Sequence, residues 1–300
     1  MISHVLRGMA RRRLREGGLQ LPVRAEPFTA AENVAMKDIP PGAVIAGRTY
    51  DPDALLWANW RKIDTFADQT GIRKSEAVGD DDFFISEADV RVVVDGKTYA
   101  DPSDAVLRRM RAEGVRRDLV LVTVNVSKAD FDGSRFGPNV VALLYNPDNP
   151  MSFAAAWLEC RLKFPLAGAA RFDTPLFTTG GDKRWTGPLI DRVLSGVMTA
   201  TLTPAQRKGK TFHSKRVWAA SGFTSINSSE SETMALVRWA TPESLRVYAR
   251  MHLGYQAQRR DALRSADVYA VNATMLPTVD PVPADAPGFV ALADELDVDD

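Results

Sequence analysis

The sequence holds a single cysteine, Cys160, and three histidines, His4, His213 and His252, and neither sign of charge is in excess over its 300 residues. One cysteine excludes an internal disulfide and any cysteine-rich zinc site, and it suits a reducing compartment. Three histidines leave little material for a histidine-based metal centre, so neither a metal nor a cofactor is expected. No apolar run approaches the ~20 residues that cross a bilayer. The arginine-rich start has no apolar segment behind it of the kind a secretory signal needs. The expectation is a soluble intracellular protein with no membrane partner. Internal repeats and long low-complexity linkers are also missing. With 45% hydrophobic residues, 20 glycines and 18 prolines, the chain is neither collagenous nor wholly disordered.

The zero net charge conceals an asymmetry. Residues 1–25 carry Arg7, Arg11, Arg12, Arg13, Arg15 and Arg24 against Glu16 alone, a net +5, and residues 280–300 carry seven acids and no base, a net −7. The middle is left at about +2. A basic end suits a polyanion such as nucleic acid, and it equally suits a solvated helix face. The chain divides accordingly into a basic linker over residues 1–25, a folded region over residues 26–275 and an acidic, proline-rich tail over residues 276–300 that is expected to be disordered.

Local patterning predicts an α+β fold, mainly helical, with one small three-stranded antiparallel sheet. After the Asp38–Pro41 turn, Asp53–Gln69 reads as an amphipathic helix with Leu56, Trp60, Ile63 and Ala67 on one stripe and Gly71 as its stop. Strands are predicted at Val90–Val94, Leu119–Val126 and Asn139–Tyr145, the last two joined by a long hairpin. A short helix between the first two takes Asp101 as N-cap, Pro102 as first residue and Gly114 as stop. Further helices are predicted from Asn149-Pro150 to about Phe164, from Thr186 to near Met198 and over His213–Gly222. Ser229 and Glu232 form a capping box for the next, and Thr241-Pro242 opens a last long helix that contains Tyr248. Trp57, Trp60, Trp157 and Trp218 are expected in the core.

Three separated segments carry chemistry. They are Thr70-Gly71-Ile72-Arg73-Lys74-Ser75-Glu76 between two helices, His213-Ser214-Lys215-Arg216 on a helix, and the run from Trp239 to Tyr248. Lys128 lies between the first two, in the predicted hairpin. Each alone has an ordinary structural explanation; their order and spacing give them weight. The set resembles the tyrosine recombinase (phage integrase) family, in which a T-G-x-R-x-x-E box, a hairpin lysine, an H-x-x-R pair and a His or Trp nine residues before a tyrosine follow one another. The resemblance spans roughly Arg24 to Asn272 and is nearest to mobile-element and viral variants with tryptophan at the position of Trp239.

What the resemblance implies is a catalytic domain that cleaves and rejoins double-stranded DNA, in site-specific recombination or integration, through a 3′-phosphotyrosyl intermediate. Tyr248 would be the nucleophile, and a phenol of pKa ~10 needs cations and a base to act near neutral pH. Arg73 and Arg216 would clamp the phosphate in bidentate fashion. Lys128 would protonate the leaving 5′ oxygen, His213 would exchange the proton of the attacking hydroxyl, and Trp239 would donate its indole N–H to the phosphate. Glu76 would give structural support. Arg11, Arg12, Arg13 and Lys128 would contact DNA. The chemistry needs no metal and no ATP, and the working unit would be a homo-tetramer on two DNA sites, assembled by passing Leu253–Ala273 to a neighbour. A nuclear address would follow in a eukaryote.

The sequence departs from the family pattern in four places. The usual buried apolar residue before the second arginine is Lys215, which is expected to loosen the helix aiming His213 and Arg216. The usual glycine two residues before the box III aromatic is Val237. The gap from Arg73 to Lys128 is long. Residues 1–25 look like the tail of an N-terminal core-binding domain rather than a whole one, which leaves a truncated product, a degenerate remnant or a minimal enzyme as readings. The alternatives to recombination are a catalytically impaired DNA-binding remnant of a mobile element and a type IB topoisomerase-like relaxing enzyme. The position of His213 argues against the second, since that family places a lysine there.

Overall fold

The computed structural model describes residues 25–79, 84–113, 118–124, 139–238 and 253–266. Helix α1 (Ala30–Ala35) begins in a capping box: Glu32 N–H donates to Thr29 Oγ1 (3.1 Å) and Thr29 N–H donates to the Glu32 carboxylate (2.8 Å). A two-residue hairpin, β1 (Val44–Ile45) and β2 (Arg48–Thr49), leads into α2 (Leu55–Thr70), which ends at Gly71 as the apolar stripe predicts. Helix α3 (Lys74–Val78) follows at once.

The chain then lays down β3 (Val90–Val94) and β4 (Lys97–Tyr99), helix α4 (Asp104–Glu113), and β5 (Leu119–Val124) with β6 (Asn139–Leu144). The fold is α+β, but the expected three-stranded sheet has four strands in the order β4-β3-β5-β6, all neighbours antiparallel, and two two-stranded sheets accompany it. The added strand comes from Asp95-Gly96, whose φ angles of 50° and 75° are those of a tight mirror-image hairpin turn. Tyr145, expected within a strand, falls just after β6, and residues 125–138, with Val126 and Lys128, lie outside the described residues.

Helix α5 (Phe153–Lys163) is capped by Ser152, which accepts from Ala155 N–H. Asn149 was the expected cap; its carboxamide instead grips Asp261 (2.8 Å), and its Oδ1 accepts from Met151 N–H (3.0 Å). Asp101 likewise does not cap α4, since its carboxylate takes Arg171 Nη1 (3.1 Å) and Gly168 N–H (3.2 Å). A single turn at Ala170–Asp173 and the pair β7 (Thr178–Gly180) and β8 (Lys183–Arg184) precede α6 (Gly187–Thr201), which starts at the Thr186 cap as expected. After a turn at Pro204–Arg207 come α7 (His213–Ser225), α8 (Glu230–Leu236), with the Ser229–Glu232 capping box in place, and α9 (Leu253–Ala262).

Both faces of β5 are covered, which is why this strand is apolar apart from Thr123. Val120, Val122 and Val124 point into the main core with Phe66, Phe153, Trp157 and Trp218, whereas Leu119 and Leu121 join Ala142, Leu144 and Ala257 of α9 in a second cluster. Trp57, Trp60, Trp157 and Trp218 are all buried, as is Trp185. Helix α9 is locked to the end of β6: Asn146 Nδ2 lies 3.0 Å from both Asp261 oxygens, beside the Asn149 bond.

Candidate functional site

The T-G-x-R-x-x-E segment and the H-x-x-R helix meet at Gly71. This residue ends α2 in the left-handed conformation (φ 60°), its N–H bonded to Ala67 O (2.9 Å). Thr70 Oγ1 pins the turn, donating to Phe66 O (2.7 Å) and accepting from Ile72 N–H (3.2 Å). A Cβ at residue 71 would sit 3.2 Å from Ala219 Cβ and 3.5 Å from Arg216 Cα, so the missing side chain also lets α7 lie against the turn. The approach brings Arg216 Nη1 to Gly71 O at 2.7 Å.

Arg73 stands immediately before α3. Its backbone N–H donates to Glu76 Oε2 (3.1 Å) and its Nη1 to Glu76 Oε1 (2.8 Å). Glu76, expected as support, is the hub. Its second oxygen also takes Arg238 Nη1 at 3.4 Å. Arg238 is a participant that the sequence reading did not single out, and its only local signal is that it directly precedes Trp239. It is also the residue with left-handed backbone in this segment (φ 60°), whereas the preceding Val237 has an ordinary φ of −87°.

Arg73 and Arg238 thus share the Glu76 carboxylate while Arg216 beside them bonds Gly71 O, and the four groups carry a net +2. Burial alone would raise the Glu76 pKa, but Arg238, Arg73 and their hydrogen bonds outweigh it and hold it below the usual carboxylate value. Arg216 is brought down to about 10 by burial and then by the charge of Arg73. It stays protonated at neutral pH. Arg216 Nη2 and Arg238 Nε are buried without a hydrogen-bond partner among the described residues, while the Arg73 side chain keeps 32% of its surface exposed. Under-neutralised guanidiniums with spare donors and one solvent-facing member are suited to an oxyanion, phosphate above all.

His213 lies one turn before Arg216 on α7, exposed to solvent, and among the described residues makes no hydrogen bond to the cluster. Lys215 corrects the expectation that it loosens this helix. Its side chain is fully buried, with Nζ 2.7 Å from Asp68 Oδ1, 2.8 Å from Asp64 Oδ1 and 3.0 Å from Asn33 Oδ1, and Lys37 closes the group from the other side. Burial opposes the lysine's charge, but the two aspartates outweigh it and hold its pKa above the ordinary value. An ionic knot replaces apolar packing and fastens α7 to α2. Lys128, Trp239, Tyr248, Arg11, Arg12 and Arg13 lie outside the described residues, as do the expected helix from Thr241 and residues 1–24 and 267–300.

Away from the cluster, a cavity of about 340 Å³ is bordered by Asp53, Arg61, Tyr145, Glu159, Cys160 and Lys163. Burial pushes the Cys160 thiol up, which disfavours its reactive thiolate. Among the described residues no group of three or more His, Cys, Asp or Glu side chains is placed to hold a metal, and no helix is long and apolar enough to cross a membrane. Comparison with known protein families, with curated proteins and with solved structures finds no match for this chain.

Proposed function

We propose that this chain cuts and rejoins double-stranded DNA through a phosphotyrosyl intermediate at Tyr248. The observation that carries the reading is the convergence of Arg73 and Arg216, 143 residues apart in sequence, on one turn, with net positive charge and unpartnered guanidinium nitrogen. Arginines buried beside each other are destabilising unless an anion compensates them, and a scissile phosphate is the anion that the motif order suggests.

In this reading the Tyr248 oxygen attacks phosphorus and the bond to the 5′ oxygen breaks. Lys128 gives that oxygen a proton, and His213 accepts the proton of the attacking phenol. Arg73 and Arg216 hold the non-bridging oxygens throughout. Because one phosphodiester replaces another, the 5′-hydroxyl of a second strand reverses the step with no external energy source. Passage of the segment after Tyr248 to a neighbour, which would build the proposed tetramer, has to begin by lifting α9 from its own β6 and Asp261 from Asn146 and Asn149.

The test is a nicked DNA pool of random sequence, incubated with wild type and Tyr248→Phe in a chelator and resolved on a denaturing gel. A covalent adduct formed by wild type alone is expected, and sequencing the trapped fragments names the site. Salt-sensitive DNA binding with no adduct from either protein would reduce the chain to a DNA-binding remnant. Relaxation of supercoils without strand exchange would favour the topoisomerase-like alternative.

A further inference from the structure

We propose that Arg238 is a positioning residue of the same site: by sharing Glu76 with Arg73, it raises the net charge of the cluster from +1 to +2 and so matches a doubly charged phosphate. This inference rests on the strand-cleavage reading for its substrate, but its charge logic stands on the cluster itself. Glu76 is the one acidic group bonded within the cluster, with one oxygen on Arg73 and the other on Arg238. Without Arg238, Arg73 and Arg216 set against Glu76 carry +1, which balances a resting phosphodiester. With it they carry +2, which balances the extra charge that phosphorus acquires when a fifth oxygen attacks. The third arginine therefore favours the transition state over the ground state, which is where binding energy accelerates a reaction.

The backbone also points to a role for this side chain. Arg238 holds a left-handed conformation (φ 60°) that glycine adopts freely and that costs other residues roughly 1–2 kcal/mol. An arginine there, with a side chain only 4% exposed and Nε without a partner among the described residues, sets a positive charge beside Glu76 that glycine would not. Burial by itself would not require a cation.

The experiment titrates inorganic phosphate into the full chain at pH 8 and low salt, following wild type, Arg238→Gly, Arg238→Lys and the double variant Arg238→Gly/Glu76→Gln. Arg238→Gly should bind phosphate about tenfold more weakly, since one of two net charges is lost, while its thermal unfolding stays level or improves. Arg238→Lys should recover most of the affinity. The double variant should recover it too, because removing the carboxylate restores +2 with no side chain at residue 238, a rescue that a packing role does not give. Arg238→Asn, which tolerates the left-handed backbone, replaces the glycine variant if that variant misfolds. On nicked DNA, Arg238→Gly should slow adduct formation at saturating DNA by more than it weakens DNA binding. Equal phosphate affinity in wild type and Arg238→Gly, or no rescue in the double variant, overturns the proposal. Phosphate binding through Arg238 without any Tyr248 adduct overturns the strand-cleavage reading alone.

Discussion

Replacing Lys215 with methionine tests the ionic knot between α2 and α7. The ammonium is removed from a place where its side chain has no solvent exposure and where Asp64 and Asp68 are only 2% and 1% exposed. Lys37 alone then faces two carboxylates, so one negative charge remains buried without compensation. Breaking one partner of a buried ion pair costs about 3–5 kcal/mol, against about 0–1 kcal/mol for a surface pair. In a protein whose net stability is on the order of 5–15 kcal/mol, this is a large fraction. With about 2–4 °C lost per kcal/mol in a domain of this general size, the melting temperature should fall by about 10 °C. Urea and thermal unfolding followed by circular dichroism measure it. Adding Asp68→Leu removes a negative charge as well, leaves Lys37 paired with Asp64, and should restore most of the stability. A loss under about 1 kcal/mol in the single variant, or no recovery in the double, would refute the claim that charge balance holds α7 in place.

Gly71→Ala should destabilise the protein by about 1–2 kcal/mol from its left-handed backbone alone, and more as α7 is pushed back from the 3.2 Å contact at Ala219; chemical unfolding with phosphate affinity as a second readout measures both effects. The depressed pKa of Glu76 has a definite sign: its stabilisation is fully present above the unfolded value of about 4.3 and is lost as pH falls through the lower folded value. The stability gap between wild type and Glu76→Gln should therefore be constant from pH 7 to 5 and shrink toward pH 3 in denaturant titrations. Asp261→Ala should release α9, because both Asn146 and Asn149 lose their acceptor; hydrogen exchange over Leu253–Ala262 should accelerate while β3 and β5 stay protected.

The parts of the fold that sequence made legible are those governed by contacts a few residues apart. The stripe of α2 and its Gly71 stop, the Thr186 cap and the Ser229–Glu232 box all follow from spacing of three or four residues. The caps at Asp101 and Asn149 failed because long-range partners, Arg171 and Asp261, claimed those side chains. The fourth strand has one local signal, the Asp95-Gly96 turn, but the three residues after it, Lys97-Thr98-Tyr99, are too few and too polar to read as a strand. In the site, the motifs point to Arg73, Glu76 and Arg216. Arg238 reaches Glu76 across 162 residues of chain and leaves no periodic trace. The partners of Lys215 had left one: Asp64 and Asp68 are four apart on the buried stripe of α2, where two acids require cations opposite them.

The anchoring of α9 bears on the stretch of chain at residues 239–252. One end of that stretch leaves from Arg238, bonded to Glu76 beside Arg73, and the other returns as α9, clasped to β6 through Asp261. Both ends are moored to one body, so under the proposed strand-cleavage reading Tyr248 would act as a tethered reactant, at an effective concentration set by a short span of chain rather than by that of free protein in solution. If strand exchange between copies occurs, freeing α9 turns that local tether into one long enough to serve a neighbour. The clasp at Asp261 would then be a switch between self-service and delivery in trans, thrown by giving up its hydrogen bonds and the packing of Ala257 against β5 and β6.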